Sequence, residues 1–438
     1  MNTGDTAWVL VSSALVLLMT PALAFFYGGM VRSKSVLNML MMNFVTIGIV
    51  SLLWVLYGFS VAFGDAKSGL FGGFGWAGMK HLTTVETTLN GSVYGVPLLV
   101  FAAFQLMFAV ITPALISGAI ADRAKFGAWM LFVALWVTLV YFPVAHWVFD
   151  FGDKNGAGAG WLAARGVLDF AGGTAVHVNA GSAGLALALV LGKRVGWKKD
   201  PMRPHNLPLV MLGAGLLWFG WFGFNAGSAL GANALAGQAF FTTMIATATA
   251  MLGWLAVERV RDGHYTSLGA ASGAVAGLVA ITPACAFVTP IGSVVLGLLA
   301  GAVCASAVGL KWRLGFDDSL DVVGVHLVGG ALGAVSLGFI ADAGDLGKGL
   351  FYGGDLSLLG NQVLAVVAVG AYSFVVAFVL GKLIDLTIGF RIPAEDEVDG
   401  IDLGSHAETG YDIHSAAGGV LRPSAMAQAD AEARGVNA

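Results

Sequence analysis

Runs of about twenty apolar residues follow one another through most of this chain, with short polar breaks between them. That pattern leaves few folds open. Inside a bilayer every backbone N–H and C=O must find a partner within the protein, so only helices and closed barrels span it. Barrel strands alternate apolar and polar residues, and these runs are continuous. The fold class expected is therefore an all-α polytopic membrane protein. Its eleven transmembrane helices fall near 7–31, 36–63, 95–121, 126–148, 173–193, 207–229, 236–258, 267–284, 290–312, 319–341 and 361–389. The eighth is the weakest of these, because glycines and Pro283 interrupt it.

Composition agrees with a lipid bilayer as the surroundings. Only 11% of residues are charged, and mean hydropathy is +0.82. The 63 glycines suit helices whose backbones touch. No basic patch exists outside short loops, so no nucleic-acid partner is expected. Cys285 and Cys304 both lie in apolar runs and read as buried thiols, with neither a disulfide nor a metal between them.

Lysine and arginine give the orientation. Lys67, Lys80, Lys154, Arg165 and Lys348 belong to one set of loops, and all the others of the 22 fall in the opposite set or in the C-terminal tail. Eleven alternating helices then place the N-terminus outside and the C-terminus in the cytoplasm. Ala22-Leu23-Ala24 imitates a signal-peptidase site, but no basic residue precedes it and the apolar run continues through Tyr27. A retained first helix is the reading preferred.

Asp169 and His177 are eight residues apart, as are Asp318 and His326, and each pair opens an apolar stretch. The aspartates read as helix N-caps. Eight residues carry each histidine about 12 Å deeper, close to the midplane of a core about 30 Å thick. One approaches from outside and the other from the cytoplasm. Five helices separate the two copies, and an odd number inverts the second. The expectation is an inverted five-helix repeat, helices 1–5 and 6–10, with a site at its centre. Histidines at that depth face a pathway more often than they fill a core. With no Cys, Asp or Glu at ligand spacing they make a poor set for zinc or iron, and no cofactor is expected. Two imidazoles in contact can pass a proton and suit a small, neutral, hydrogen-bonding molecule.

Aromatic residues point the same way. Phe104 and Phe108 stand at helical spacing with Gln105 between them, and Trp221, Phe224 and Ser228 close the sixth helix at the outer face. Such rings are ordinarily packing or interfacial belts. Beside Asp169 and the histidines they suggest a vestibule where a small cation docks on ring faces.

Four strings now match a family: Phe26-Tyr-Gly-Gly-Met30, Leu168-Asp-Phe-Ala-Gly-Gly-Thr174, Gly220-Trp-Phe-Gly-Phe-Asn-Ala-Gly-Ser228 and Asp321-Val-Val-Gly-Val-His326. The chain resembles the Amt/Mep/Rh ammonium transporters, most closely the bacterial Amt branch, from about Asp5 to Tyr411. The resemblance implies a homotrimer in the bacterial plasma membrane, with one pore per subunit for ammonium, ammonia or methylammonium. It implies recruitment of ammonium by Phe108 and Ser228 with Asp169 in support, a gate of Phe108 and Phe224, and a pore lined by His177 and His326. Gln105 and Trp221 would line the neighbourhood, with Asp318 and Asp321 supporting the inner side.

One string departs from the pattern. Ala145-His-Trp-Val-Phe149 ends in phenylalanine where the family often has tryptophan, so Phe149 takes that place in the recruitment site. Phenylalanine binds a cation less strongly. Trp147 lies about 200° around a helix from it and is not a substitute. Asp150 and Asp153 follow, and read either as cation-attracting charges or, more ordinarily, as solvated loop charges.

Residues 1–391 read as the transmembrane domain, with 1–195 the first repeat, 205–341 the second and 361–390 the eleventh helix. Residues 392–438 form a tail. Its plain reading is a solvated terminus. A Gly400-Ile-Asp402, Ser405-His406, Glu408 and Tyr411 string resembles the family's structured cytoplasmic tail, which implies docking on neighbouring subunits and regulation by a PII-type signalling protein. Rival functions are a channel for another small neutral solute, or an ammonium sensor. A membrane enzyme lacks any nucleophile or metal set.

Overall fold

The computed structural model describes residues 2–65, 68–80, 82, 87–90, 92–153 and 155–411. Lys67, Lys154, Arg422 and Arg434, used above for orientation, lie outside them, as does the tail from residue 412 onward.

Among the described residues, ten helices are long and apolar enough to cross a membrane. They are α1 (Thr3–Met30), α2 (Ser33–Phe63), α3 (Leu98–Ile120), α4 (Phe126–Phe149), α5 (Gly173–Leu191), α6 (Leu207–Gly227), α7 (Ala234–Asp262), α9 (Pro290–Leu314), α10 (Val323–Ile340) and α11 (Leu356–Thr387). The eighth expected span is a shorter apolar helix, α8 (Ser267–Ile281). Residues 282–288, with Pro283 among them, leave the helix in turns. One antiparallel hairpin pairs Thr88–Leu89 with Ser92–Val93 before α3.

Helix starts follow the polar punctuation. Asn2, Asn206, Asn233, Thr266, Thr289 and Asp355 each accept a backbone N–H at the start of α1, α6, α7, α8, α9 and α11. Such caps satisfy N–H groups that have no partner within the helix. Asp355 therefore starts α11 five residues before the expected 361.

Glycine sets how closely the helices approach. α1 and α6 run antiparallel, with Gly29 against Asn206 and Val210, Gly213 against Phe26, and Gly227 against Ser12. Cβ atoms at Gly29 and Gly213 would stand 2.7 Å and 2.4 Å from the facing backbone. α5 and α10 cross reciprocally. A Cβ on Gly181 would stand 2.4 Å from Leu327 N, and one on Gly330 would stand 2.9 Å from the His177 Cβ. Each of these glycines lies four residues beyond its own histidine, against the other histidine or its neighbour. Small residues allow this approach without voids.

Charged groups gather at the end where α1 finishes. Arg194 makes a two-point pair with Asp317 and also reaches Asp122, which pairs with Arg32. The tail lies on this basic face as two short helices, α12 (Ala394–Asp399) and α13 (Ile401–His406). Glu397 accepts from Val195 N and Arg391, and Asp402 accepts from Leu37 N and Asn38 N at the start of α2. His205 donates from Nδ1 to Val31 O, so its Nε2 accepts from the Tyr411 hydroxyl.

Candidate functional site

α5 and α10 begin abnormally, and that places the two histidines. Each opens with a π-helical turn, Gly173–Val178 and Val323–Leu327, of the kind that recurs at functional sites. His177 N bonds Gly172 O and Val328 N bonds Val323 O, each five residues back. The residues eight before each histidine hold these turns. The Asp169 carboxylate accepts from Gly173 N at 2.7 Å and Thr174 N at 2.8 Å. The Asp318 carboxylate accepts at the equivalent positions, from Val322 N at 3.1 Å and Val323 N at 2.7 Å. Asp169 takes further bonds from Gly172 N, Ala175 N and the Thr174 hydroxyl.

The reciprocal crossing brings His177 and His326 together. Their Nδ1 atoms are 3.3 Å apart and the rings stack, with centroids 5.3 Å apart at 21°. Tyr27 extends the line, its hydroxyl 3.5 Å from His326 Nε2 and 3.1 Å from Leu115 O. The carbonyl takes the hydroxyl hydrogen, so the Tyr27 oxygen faces His326 as an acceptor. With neutral rings this fixes a chain: His326 Nε2–H faces Tyr27, His177 Nδ1–H donates to His326 Nδ1, and His177 Nε2 keeps a bare lone pair. That nitrogen is buried and has no hydrogen-bond partner. One side of the pair thus presents an acceptor to whatever arrives.

On that side rings close over the imidazole pair. His177 stacks on Trp221 at 5.4 Å and faces Phe224 at 6.1 Å. Phe224 meets Phe108 at 4.4 Å. Trp221 is fixed by its Nε1–H, which donates to the Thr282 hydroxyl at 2.8 Å. Beyond Phe108 opens a hollow of about 80 Å³, lined by Gln105, Phe108, Phe149 and Ser228 together with Tyr94, Phe101, Phe151, Phe170, Ala171 and Leu230. Ser228 donates its hydroxyl hydrogen to Phe224 O at 2.8 Å, which leaves the oxygen to accept. A wall of ring faces that includes the Ser228 oxygen as an acceptor fits a small cation carrying N–H donors.

The model of the Ammonium Transporter Family matches residues 7–411. The chain belongs to that family. An ammonium transporter of Mycobacterium tuberculosis is 58% identical over 441 residues, covering 96% of this chain and 92% of that one. An ammonium transporter of Bacillus subtilis is 46% identical over 419 residues, covering 94% and 99%. Among solved structures, Candida albicans Mep2 matches with a TM-score of 0.83 at 32% identity, covering 97% of this chain and 94% of that one. A structure named "Sensor Amt Protein" matches with a TM-score of 0.83 at 29% identity, covering 92% and 98%.

Several residues of this family member lie elsewhere than the hollow. Asp169 does not line it; its carboxylate is filled by α5 N–H groups, while its neighbours Phe170 and Ala171 form wall. Trp147 packs on Trp161 and Tyr372 and donates to Leu70 O. Asp318 and Asp321 belong to the opposite end, where Asp321 pairs with Lys311 at 2.6 Å. There a wide cleft of about 1260 Å³ opens past Val328 and Leu320, with Arg194, Arg261, Lys311 and Arg313 in its wall.

The reading of Asp150 as a solvated loop charge is corrected. Its side chain is only 5% exposed, because the following loop folds back over it through Gly160 N to Asp150 O and Leu162 N to Trp147 O. Tyr94, Phe151 and Phe170 were not foreseen in the wall. They come from connections, where no helical spacing marks a side chain as inward.

Proposed function

We propose that this chain is an ammonium transporter of a bacterial cytoplasmic membrane. The observation that supports the reading is a succession of neighbouring features: an aromatic hollow with an oxygen acceptor, paired phenyl rings, paired imidazoles and a tyrosine hydroxyl, with a basic cleft at the opposite end. Ammonium docks in the hollow on Phe108 and Phe149, giving one N–H to the Ser228 oxygen. Entering the apolar path would strip its water, and an unpaired charge there is prohibitive. It therefore gives up a proton to water at the mouth of the hollow, and ammonia passes Phe224 when the rings part. The bare lone pair of His177 Nε2 accepts its N–H, and the line to His326 and Tyr27 offers successive partners. Whether a proton follows along the imidazoles decides between charged and neutral transport.

Orientation and symmetry belong to the same reading. The basic loops support a cytoplasmic C-terminus, with the hollow outside. Antiparallel α1 and α6, the reciprocal α5–α10 crossing and the matched carboxylate caps support an inverted repeat of helices 1–5 and 6–10, with α11 completing eleven spans. The assembly is read as a homotrimer, and 392–438 as a regulatory tail that a PII-type protein engages.

Current recordings in proteoliposomes test the mechanism. Ammonium pulses are expected to give uptake in the unmodified chain and less than a tenth of it in the His177→Ala, His326→Ala double variant. Undiminished flux in the double variant rejects a role for the imidazoles. The named sensor among the structural relatives favours a second reading, in which the tail reports ammonium. Growth of a transporter-deficient cell on low ammonium separates the two, since a sensor alone gives no rescue.

A further inference from the structure

Among the described residues, Asp150 is the one buried acidic residue at the hollow's end of the molecule whose carboxylate neither the fold nor the proposed mechanism fully explains. It ends α4 at the helix C-terminus, where unpaired carbonyls already make the potential negative and a carboxylate is unfavourable. One oxygen, Oδ1, accepts from Gly152 N at 2.8 Å. The other, Oδ2, lies 3.2 Å from His146 Nδ1, but that nitrogen is also 3.0 Å from Ala62 O, and Oδ2 has no well-formed hydrogen bond. No lysine or arginine among the described residues lies within ion-pair distance of it. Asp169, by comparison, has both oxygens filled by backbone N–H groups.

Its position is specific. Phe149 before it and Phe151 after it both line the hollow. Tyr94, also in the wall, is pushed up to about 12 by burial and, next, by the Asp150 charge. A buried carboxylate flanked by ring faces, with no lysine or arginine beside it among the described residues, has room in its field for a cation.

We propose that Asp150 is the charged partner of the hollow, holding a small monovalent ammonium-type cation against Phe149 by its field without touching it. Electrostatic attraction across a poorly hydrated wall adds to the weaker pull of a phenyl face. This makes Asp150 a positioning residue for capture, and it rests on the transport reading above.

The isosteric Asp150→Asn keeps an acceptor for Gly152 N–H and removes only the charge. In the full-length protein, concentration curves of methylammonium uptake are expected to show a half-saturation about fivefold to tenfold higher, with the maximal rate within twofold. Asp150→Glu restores most of the shift. Asp153→Asn, a charge change in the same loop, leaves the curve unmoved. A wild-type curve for Asp150→Asn overturns the inference and leaves the transport reading standing. Equal loss of maximal rate in the Asn and Glu variants, with lowered thermal stability, also overturns it and assigns Asp150 to loop structure. Absence of saturable uptake by the unmodified chain overturns the transport reading itself.

Discussion

A phenyl ring in the wall of the hollow attracts a cation only through its quadrupole, and an indole does so more strongly. Phe149→Trp is therefore expected to lower the half-saturation for methylammonium about threefold, read from initial uptake rates. No gain in apparent affinity rejects Phe149 as part of the capture site. Trp147→Phe, on a ring that packs against Trp161 and Tyr372, is expected to leave affinity alone. At this scale the sequence was legible wherever helical spacing or a family string marked the residue, as for Phe108, Phe224, Ser228 and both histidines. Asp150 was not, because burial there is imposed by a loop returning on Gly69 and Trp147 from residues 160–162. A polar residue next to a turn carries no sign of such a fold-back.

α5 and α10 owe their form to two carboxylates, and these have consequences for stability. Burial pushes the Asp318 carboxyl up to about 6, with the Lys311 ammonium offsetting part of that. The ionised form thus works against folding at neutral pH. As pH falls through about 6 the folded protein takes up a proton that the unfolded chain takes up only near 3.8, so this contribution to stability rises. Unfolding scans in detergent are expected to show the unmodified chain gaining on Asp318→Asn between about pH 7.5 and about pH 5. A constant difference between the two rejects the shift. The crossing is as demanding. At Gly181 an added methyl meets Leu327 backbone, and Gly181→Ala is expected to lose about 1–3 kcal/mol, seen as a lower unfolding temperature. Spacing alone marked the two helices and set each histidine eight residues past its carboxylate. It did not give the π-helical turns, which follow Gly172 at a φ of 123° and Asp321 at a φ of 65° and are held by caps reaching past the first turn. Nor did it give the end of α8 at Ile281, although the glycines and Pro283 marked that span as weak.

Across the whole molecule, the tail is tied to the body at separate places. Asp402 serves as a cap for α2, Glu397 reaches Val195 and Arg391, and Tyr411 reaches His205. These contacts fall on the basic face beside the wide cleft. A PII-type protein is expected to be retained by the full-length chain and lost on removal of 392–438, measured by pull-down from membranes. Equal retention by both forms rejects the tail as its docking element. Composition and hydropathy were enough for an all-helical membrane protein and for the order of the ten long apolar helices among the described residues, because lipid permits so few alternatives. They were silent on the docked tail, whose hydrogen bonds join residues more than 360 positions apart.

His177 stands on α5 and His326 on α10, Phe108 on α3 and Phe224 on α6. Both pairs of the proposed path thus draw one member from each half of the chain. A chain emerging from the ribosome with only α1–α5 in the bilayer holds one imidazole and one ring of the proposed gate. If the path runs as proposed, synthesis proceeds helix by helix without opening a leak, because the route forms only once the second half has closed against the first.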